Sequence, residues 1–342
     1  MDGEVILRVN NLQTHFHTDE GVVKAVDDVS FSLRRGEVIG IVGESGSGKS
    51  VTNLSIMNLI QTPPGKIAGG EILFHGQDIL KMNSKQIREI RGAKISMIFQ
   101  DPMTSLNPFL RISTQMIETY RLHQGLSKKE AREKAVQMLS LAGIPAAEER
   151  IDAYPHQFSG GMCQRVMIAM ALSCNPEILI ADEPTSALDV TIQAQILDLM
   201  RGLTQRFGTA VILITHSLGV VAGICDAIYV MYAGRIMERG LTGDIFEDPR
   251  HPYTRGLIKS VPRLDKPNSE RLFSIPGQPP NVVDLPPCCP FFPRCPDVRD
   301  ICKTRYPGEI DYGKGHSASC WALPSRALPS RALPSRALPS QA

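Results

Sequence analysis

The 342-residue sequence contains no apolar run near the roughly 18 residues that a membrane-crossing helix requires. Its strongest apolar stretches, such as Val211–Ile214, have the length of buried strands. Charge of one sign is also missing: 37 Lys and Arg against 35 Asp and Glu leave a formal +2. That near-balance argues against a nucleic-acid partner held by a bulk basic field. Aromatics are only 6%, with a single Trp, so no aromatic surface dominates. The N-terminal residues Met1–Asn10 lack a basic stretch followed by a long apolar one, so no signal peptide is expected. Hydrophobic residues at 42% and charged residues at 21% are the proportions of a folded core, not of disorder. The expectation is a soluble, cytosolic chain of one large or two domains, with any membrane role exerted through partners.

The chain changes texture along its length. Residues 1–245 alternate between strand-like and helix-like segments. Ile6–Val9, Val29–Leu33, Val38–Val42, Ile95–Phe99, Ile178–Ala181 and Val211–Thr215 read as strands, and the last three are continuous apolar runs, as expected for strands covered on both faces. Val51, Leu54, Met57 and Ile60 recur at helical spacing. Lys128–Ala142 reads as a helix stopped by Gly143. The pattern is a three-layer α/β fold with a helical insertion at about residues 101–175. After about residue 262, eight prolines between 276 and 296 exclude long helices. From Ala322 a pentad Ala-Leu-Pro-Ser-Arg repeats to the end and predicts an unpacked tail over residues 322–342.

Gly43-Glu44-Ser45-Gly46-Ser47-Gly48-Lys49-Ser50 follows an apolar strand and opens a helix, the context in which G-x-x-x-x-G-K-[ST] binds phosphate. Glycines let the backbone curl its N–H groups inward, and the helix N-terminus adds its positive dipole end. Lys49 would reach the β- and γ-phosphates and Ser50 would ligate Mg²⁺. The strand Ile178–Ala181 runs into Asp182 and Glu183, and charges at the end of an apolar strand are costly unless they bind something. Asp182 is suited to hold Mg²⁺ and Glu183 to polarise an attacking water; a helix-start capping pair ahead of Pro184 is the plainer alternative. Ser159-Gly160-Gly161 forms a second helix-start anion site. Two phosphate-grasping helix starts with one nucleotide loop suggest that the second serves a neighbour's nucleotide. His216 ends the strand Val211–Thr215, where the γ-phosphate would lie.

In this order, the phosphate loop, the Phe158-Ser-Gly-Gly-Met signature, the Asp182-Glu183 strand and His216 resemble an ABC-transporter ATPase, over about residues 4–245. The resemblance implies a RecA-like α/β core, a small antiparallel β subdomain and an inserted helical subdomain. It places Gln100 at the Q-loop, contacting Mg²⁺ or the attacking water, and Ser186-Ala187-Leu188-Asp189 at the D-loop. It makes Glu183, His216 and Gln100 the catalytic set and ATP with Mg²⁺ the cofactors. Phe158 and Cys163 depart from the commoner signature residues but leave Ser159 and the glycines intact. The family's adenine platform falls on Phe16, which could equally pack inside the small sheet; its neighbours His15 and His17 are expected to be exposed.

His251-Pro252-Tyr253-Thr254, Ile275-Pro276-Gly277 and Phe292-Pro293-Arg294-Cys295-Pro296 resemble the C-terminal extension of dipeptide/oligopeptide importer ATPases, over about residues 246–321. Nickel and glutathione importers share much of it, so the cargo is implied and not read. The partners implied are a second ABC ATPase subunit (a paralogue or a second copy), two transmembrane permease subunits and an extracytoplasmic peptide-binding protein, with the chain peripheral on the cytoplasmic face of the inner membrane. Of eight cysteines, five fall within residues 288–320, spaced Cys289-x5-Cys295-x6-Cys302-x17-Cys320 with Cys288 beside the first. Disulfides are disfavoured in a reducing compartment, and the C-x2-4-C pairs usual for structural zinc are absent. Four thiolates suit a [4Fe–4S] cluster, zinc and free thiols remaining as alternatives; the resemblance implies the cluster, which some dipeptide-importer ATPases carry here.

Other classes fit less well. Ribosome-acting relatives usually carry two cassettes in one chain, and DNA-acting ones insert a long coiled coil, whereas no sustained heptads occur between Gln100 and Ser159. A regulatory subunit with a dead site conflicts with Lys49, Glu183 and His216 all being present.

Overall fold

A computed structural model describes residues 3–186, 188–261, 273–283 and 285–322. The expected repeat tail therefore lies outside the described residues, apart from Ala322. Two sheets organise the chain. The first is antiparallel, in the order Gly21–Arg34, Val5–Thr18, Gly65–Phe74, Gln77–Asp78. The second has eight strands, and five of them form a parallel core in the order Ala227–Tyr232, Val38–Val42, Ala210–Thr215, Ile178–Asp182, Ile95–Ile98. Arg235–Leu241 pairs antiparallel with Ala227–Tyr232, and the C-terminal strands Ser317–Ala318 and Ile310–Asp311 extend that edge.

The parallel strands are mostly apolar because both faces are covered. Ile39, Ile41, Ile180, Ile212 and Ile214 face a core shared with Ile6, Leu7, Val9 and Phe31 of the antiparallel sheet. Leu179, Ala181, Val211, Leu213 and Val230 face the opposite core, built with the helices. This is the three-layer arrangement that the alternation predicts. Between Ile98 and Ile178 lie the helices Pro102–Ser105, Ile112–Gln124, Lys128–Leu141, Ala147–Arg150 and Gly160–Leu172. Ser127 caps Lys128–Leu141 through a reciprocal box with Glu130, and Gly143 follows its end in a left-handed conformation, φ +77°. No helix among the described residues is long and apolar enough to cross a membrane.

Two expectations need correction. The helix after the phosphate loop ends at Ile56, and it buries Lys49, Thr52, Asn53, Ser55 and Ile56; of the Val51–Leu54–Met57–Ile60 stripe, Met57 is buried and Val51 packs against the same core, while Leu54 and Ile60 are only half-buried. It packs against polar neighbours: Ser55 Oγ and Thr14 Oγ1 lie 2.8 Å apart. His15 is half-buried, its Nε2 enclosed without a partner and its pKa lowered by burial, whereas His17 is exposed as expected.

Candidate nucleotide site

The candidate residues sit at the carboxyl ends of neighbouring parallel strands, where open α/β sheets bind ligands. Val38–Val42 delivers the phosphate loop, Ile178–Asp182 delivers Asp182 and Glu183, and Ala210–Thr215 delivers His216. Two of the loop's glycines have no room for a side chain. A Cβ on Gly43 would stand 2.1 Å from the Met231 carbonyl oxygen; one on Gly48, at φ +101°, would stand 2.2 Å from that of Ala25. Lys49 opens the following helix, is buried, and donates to the carbonyls of Gly43 and Glu44, each at 2.9 Å. Burial lowers its pKa, against the opposing pull of Glu183, Asp182 and Glu44.

Ser50 Oγ donates to Asp182 Oδ1 at 3.1 Å. Burial raises the Asp182 pKa and the adjacent Glu183 raises it further, with Ser50 and Lys49 pulling the other way. A buried carboxylate beside a second one favours a cation at the pair. Mg²⁺ is typically held by one or two protein oxygens plus substrate phosphates, and Ser50 with Asp182 supplies that donor set.

Glu183 adopts φ +45°, a conformation rarely taken by non-glycine residues. Its two carboxylate oxygens face different partners: Gln100 Nε2 donates to Oε2 at 3.2 Å, and His216 Nδ1 lies 3.4 Å from Oε1. Gln100, Glu183 and His216 are thus brought together, with the His216 side chain 61% exposed.

Ser159 caps the helix Gly160–Leu172, its Oγ accepting from the Met162 N–H at 3.4 Å, and Ser159 and Gly160 are exposed. Gly161 packs close to Ile192, where a Cβ would stand 3.1 Å from the side chain. Ser186 Oγ donates to the Glu183 carbonyl at 3.2 Å, tying the expected D-loop to Glu183; Ala187 lies outside the described residues. Phe16 is a half-buried strand residue paired with Val23 and Gly65.

The sequence gives no sign of how the C-terminal region meets the phosphate loop. Tyr253 Oη accepts from the Glu44 N–H at 2.9 Å, and Arg294 makes a two-pronged ion pair with the Glu44 carboxylate, at 2.6 and 2.9 Å. Phe291, Tyr232 and Tyr253 pack together in tilted and edge-to-face contacts, with ring centroids 4.7–5.3 Å apart. The only sequence signal was that these residues fall in motifs with no role in nucleotide chemistry.

Cys288, Cys289, Cys302 and Cys320 are buried and Cys295 is half-buried. Cys289 Sγ is pushed up to about 12 by burial, with smaller contributions from Cys302, Cys320 and Cys295. Burial likewise pushes Cys295 up to about 11, with Cys320, Asp297 and Cys302 adding to it. Burial raises the Cys288 and Cys320 thiols as well. Among the described residues no group of three or more His, Cys, Asp or Glu is arranged to hold a metal ion.

Residues 26–186 match the family described as ABC transporter, and residues 237–302 match the oligopeptide/dipeptide transporter C-terminal region. The oligopeptide transport ATP-binding protein OppD of Salmonella typhimurium is 54% identical, over 93% of this chain and 93% of its own. The chain belongs to the oligopeptide/dipeptide branch of the ABC-transporter ATPases. The dipeptide transport ATP-binding protein DppD of Bacillus subtilis is 53% identical, over 95% of this chain and 96% of its own. Among solved structures, the ATP-binding cassette MJ0796, dimeric in a post-hydrolysis state with ADP and Pi, superposes with a TM-score of 0.62 at 28% identity. That match covers 69% of this chain and 98% of the other. This ABC ATPase thus has the cassette fold with a nucleotide site built on it.

Proposed function

We propose that this ATPase powers the import of di- and oligopeptides through a membrane transporter. The observation that carries the reading is a phosphate loop, acid pair and His216 in one cluster, joined to a C-terminal region similar to that of peptide transporters. Two cassettes, copies or paralogues, would face head to tail on the cytoplasmic side of the inner membrane, beneath two permease subunits fed by a peptide-binding protein. Each ATP would touch Gly43–Ser50, Gln100, Asp182, Glu183 and His216 of one chain and Ser159, Gly160 and Gly161 of the other, with Phe16 against the adenine. Lys49 would turn from its loop carbonyls to the phosphates. Mg²⁺ held by Ser50, Asp182 and Gln100 would neutralise charge on the terminal phosphates. Glu183, fixed between Gln100 and His216, would orient a water and take its proton as the water oxygen bonds the γ-phosphorus and ADP leaves.

The division that fits this reading is residues 1–245 for the ATPase, 246–321 for the Cys- and Pro-rich extension and 322–342 for the tail. Cys289, Cys295, Cys302 and Cys320 would hold a [4Fe–4S] cluster. Four cysteines in one proline-rich region are the donor types that such a cluster takes, and its role would be to tie the extension together.

One preparation tests both parts: the transporter purified anaerobically and placed in liposomes with its binding protein. ATP-dependent uptake of labelled peptides, with about four irons and four sulfides per chain, is expected. Uptake of nickel chelates or glutathione but not peptides would replace the cargo, and stoichiometric zinc without iron would replace the cluster.

A further inference from the structure

Three C-terminal segments converge under the phosphate loop, and none of them has a part in the nucleotide chemistry. His251–Thr254 brings Tyr253 to the Glu44 N–H, Ile275–Gly277 wraps the Arg294 side chain, and Phe292–Pro296 carries Arg294 itself. The Arg294 side chain is only 5% exposed. Its donors are all engaged: Nε to the Pro276 carbonyl at 3.0 Å, Nη2 to the Ile275 carbonyl at 3.3 Å, Nη1 to Tyr232 Oη at 3.2 Å, and both Nη atoms to Glu44. The head group is therefore fixed without any help from nucleotide, and a planar guanidinium matches a carboxylate in this two-pronged geometry.

Glu44 places a negative charge inside the phosphate loop. It is the second residue of a loop that must receive a polyphosphate, and a carboxylate there repels the ligand unless it is neutralised and turned aside. Its charge acts on Lys49, the cation that meets the phosphates.

We propose that Arg294 is a positioning residue for ATP: it neutralises the Glu44 carboxylate and holds it away from the phosphates, so that the C-terminal region sets the nucleotide affinity of a loop 250 residues earlier. The inference rests on the ATPase reading of that loop, and wild-type ATP binding checks that reading separately.

Neutralisation of Glu44 and a mere packing role differ in the sign of one effect. Arg294→Gln leaves the Glu44 charge free beside the phosphates, so Mg-ATP affinity of the full-length chain should fall about 10-fold, the loss expected for a charge-assisted pair. In the assembled transporter the effect should appear mainly in KM and much less in kcat. Adding Glu44→Gln removes the repelling charge, so the double variant should bind ATP more tightly than Arg294→Gln alone. If Arg294 only pins the C-terminal region to the cassette, removing its second partner cannot restore affinity.

Titration of Mg-ATP into wild type, both single variants and the double variant decides this, with thermal unfolding of each protein free of nucleotide run alongside. Wild-type affinity in Arg294→Gln, or a double variant that binds no tighter than Arg294→Gln, would overturn the proposal. Should Arg294→Gln fail to fold, Arg294→Lys takes its place, since it keeps the charge but not the two-pronged fit. A weakening of about 3-fold or more then supports the positioning role, and unchanged affinity overturns it.

Discussion

Glu183 owes its place to a strained backbone. At φ +45° its carboxylate turns back over the strand ends, one oxygen toward Gln100 and the other toward His216. Glu183→Gln keeps the size and the hydrogen-bonding shape but removes the basicity. Hydrolysis by the assembled transporter should fall 10²–10⁴-fold, the usual contribution of a positioned base, while ATP binding persists; turnover near wild type would remove Glu183 from that role. Residues such as Gly43–Ser50, Asp182 and Glu183 were legible in sequence because phosphate and metal chemistry demands those types at fixed short spacing. Arg294 was not, since its partner Glu44 is 250 residues away and no local pattern records the pair. The half-burial of His15 was missed for a similar reason: strand alternation does not show what packs across from it.

Strands and helices were legible where periodicity is long and clean. Val38–Val42 has the predicted limits, and Ile178–Asp182 and Ala210–Thr215 each differ by one residue. The helix Lys49–Ile56 was only partly legible because polar Thr52, Asn53 and Ser55 share its inward face with Ile56. The two-residue strands Ile310–Asp311 and Ser317–Ala318 are too short for any period to show, and the proline-rich region has a hydrophobic anchor in Phe291 that composition concealed. The helix Pro252–Ser260 offers a prediction of its own. His251 caps it, Nδ1 accepting from the Tyr253 N–H at 3.0 Å, a bond that requires neutral imidazole. Burial lowers its pKa to about 4, with Glu238 opposing and Arg255 assisting. The unfolded chain therefore takes up a proton that the folded chain refuses between about pH 6.5 and 4. Stability from this residue is complete above pH 6.5 and is lost as pH falls toward 4, on the order of 3 kcal/mol. Denaturant unfolding across that range should show the loss, and His251→Asn, which keeps an acceptor that does not titrate, should flatten it. Equal acid sensitivity in both proteins would assign the effect elsewhere.

At the scale of the molecule, one chain carries a phosphate loop with its acid pair at the strand ends and, separately, an exposed helix start at Ser159 and Gly160. Both read as phosphate sites, and a single copy has one nucleotide loop to share between them. Two phosphate-grasping helix starts with one nucleotide loop already suggested, from sequence, a site completed by a neighbour. The contacts from the C-terminal region to Glu44 could not be foreseen, because they depend on how the last strands close the edge of the central sheet. If each ATP is held between two cassettes, Ser159→Arg should separate nucleotide binding from hydrolysis. ATP binding to the isolated chain and ATP hydrolysis by the assembled transporter are measured on the same variant. Near-native binding by the lone chain and loss of hydrolysis in the assembly are expected, because the new cation disturbs the nucleotide of the partner and not its own. Loss of ATP binding by the isolated Ser159→Arg chain, or undiminished hydrolysis by the assembly, would contradict the shared site.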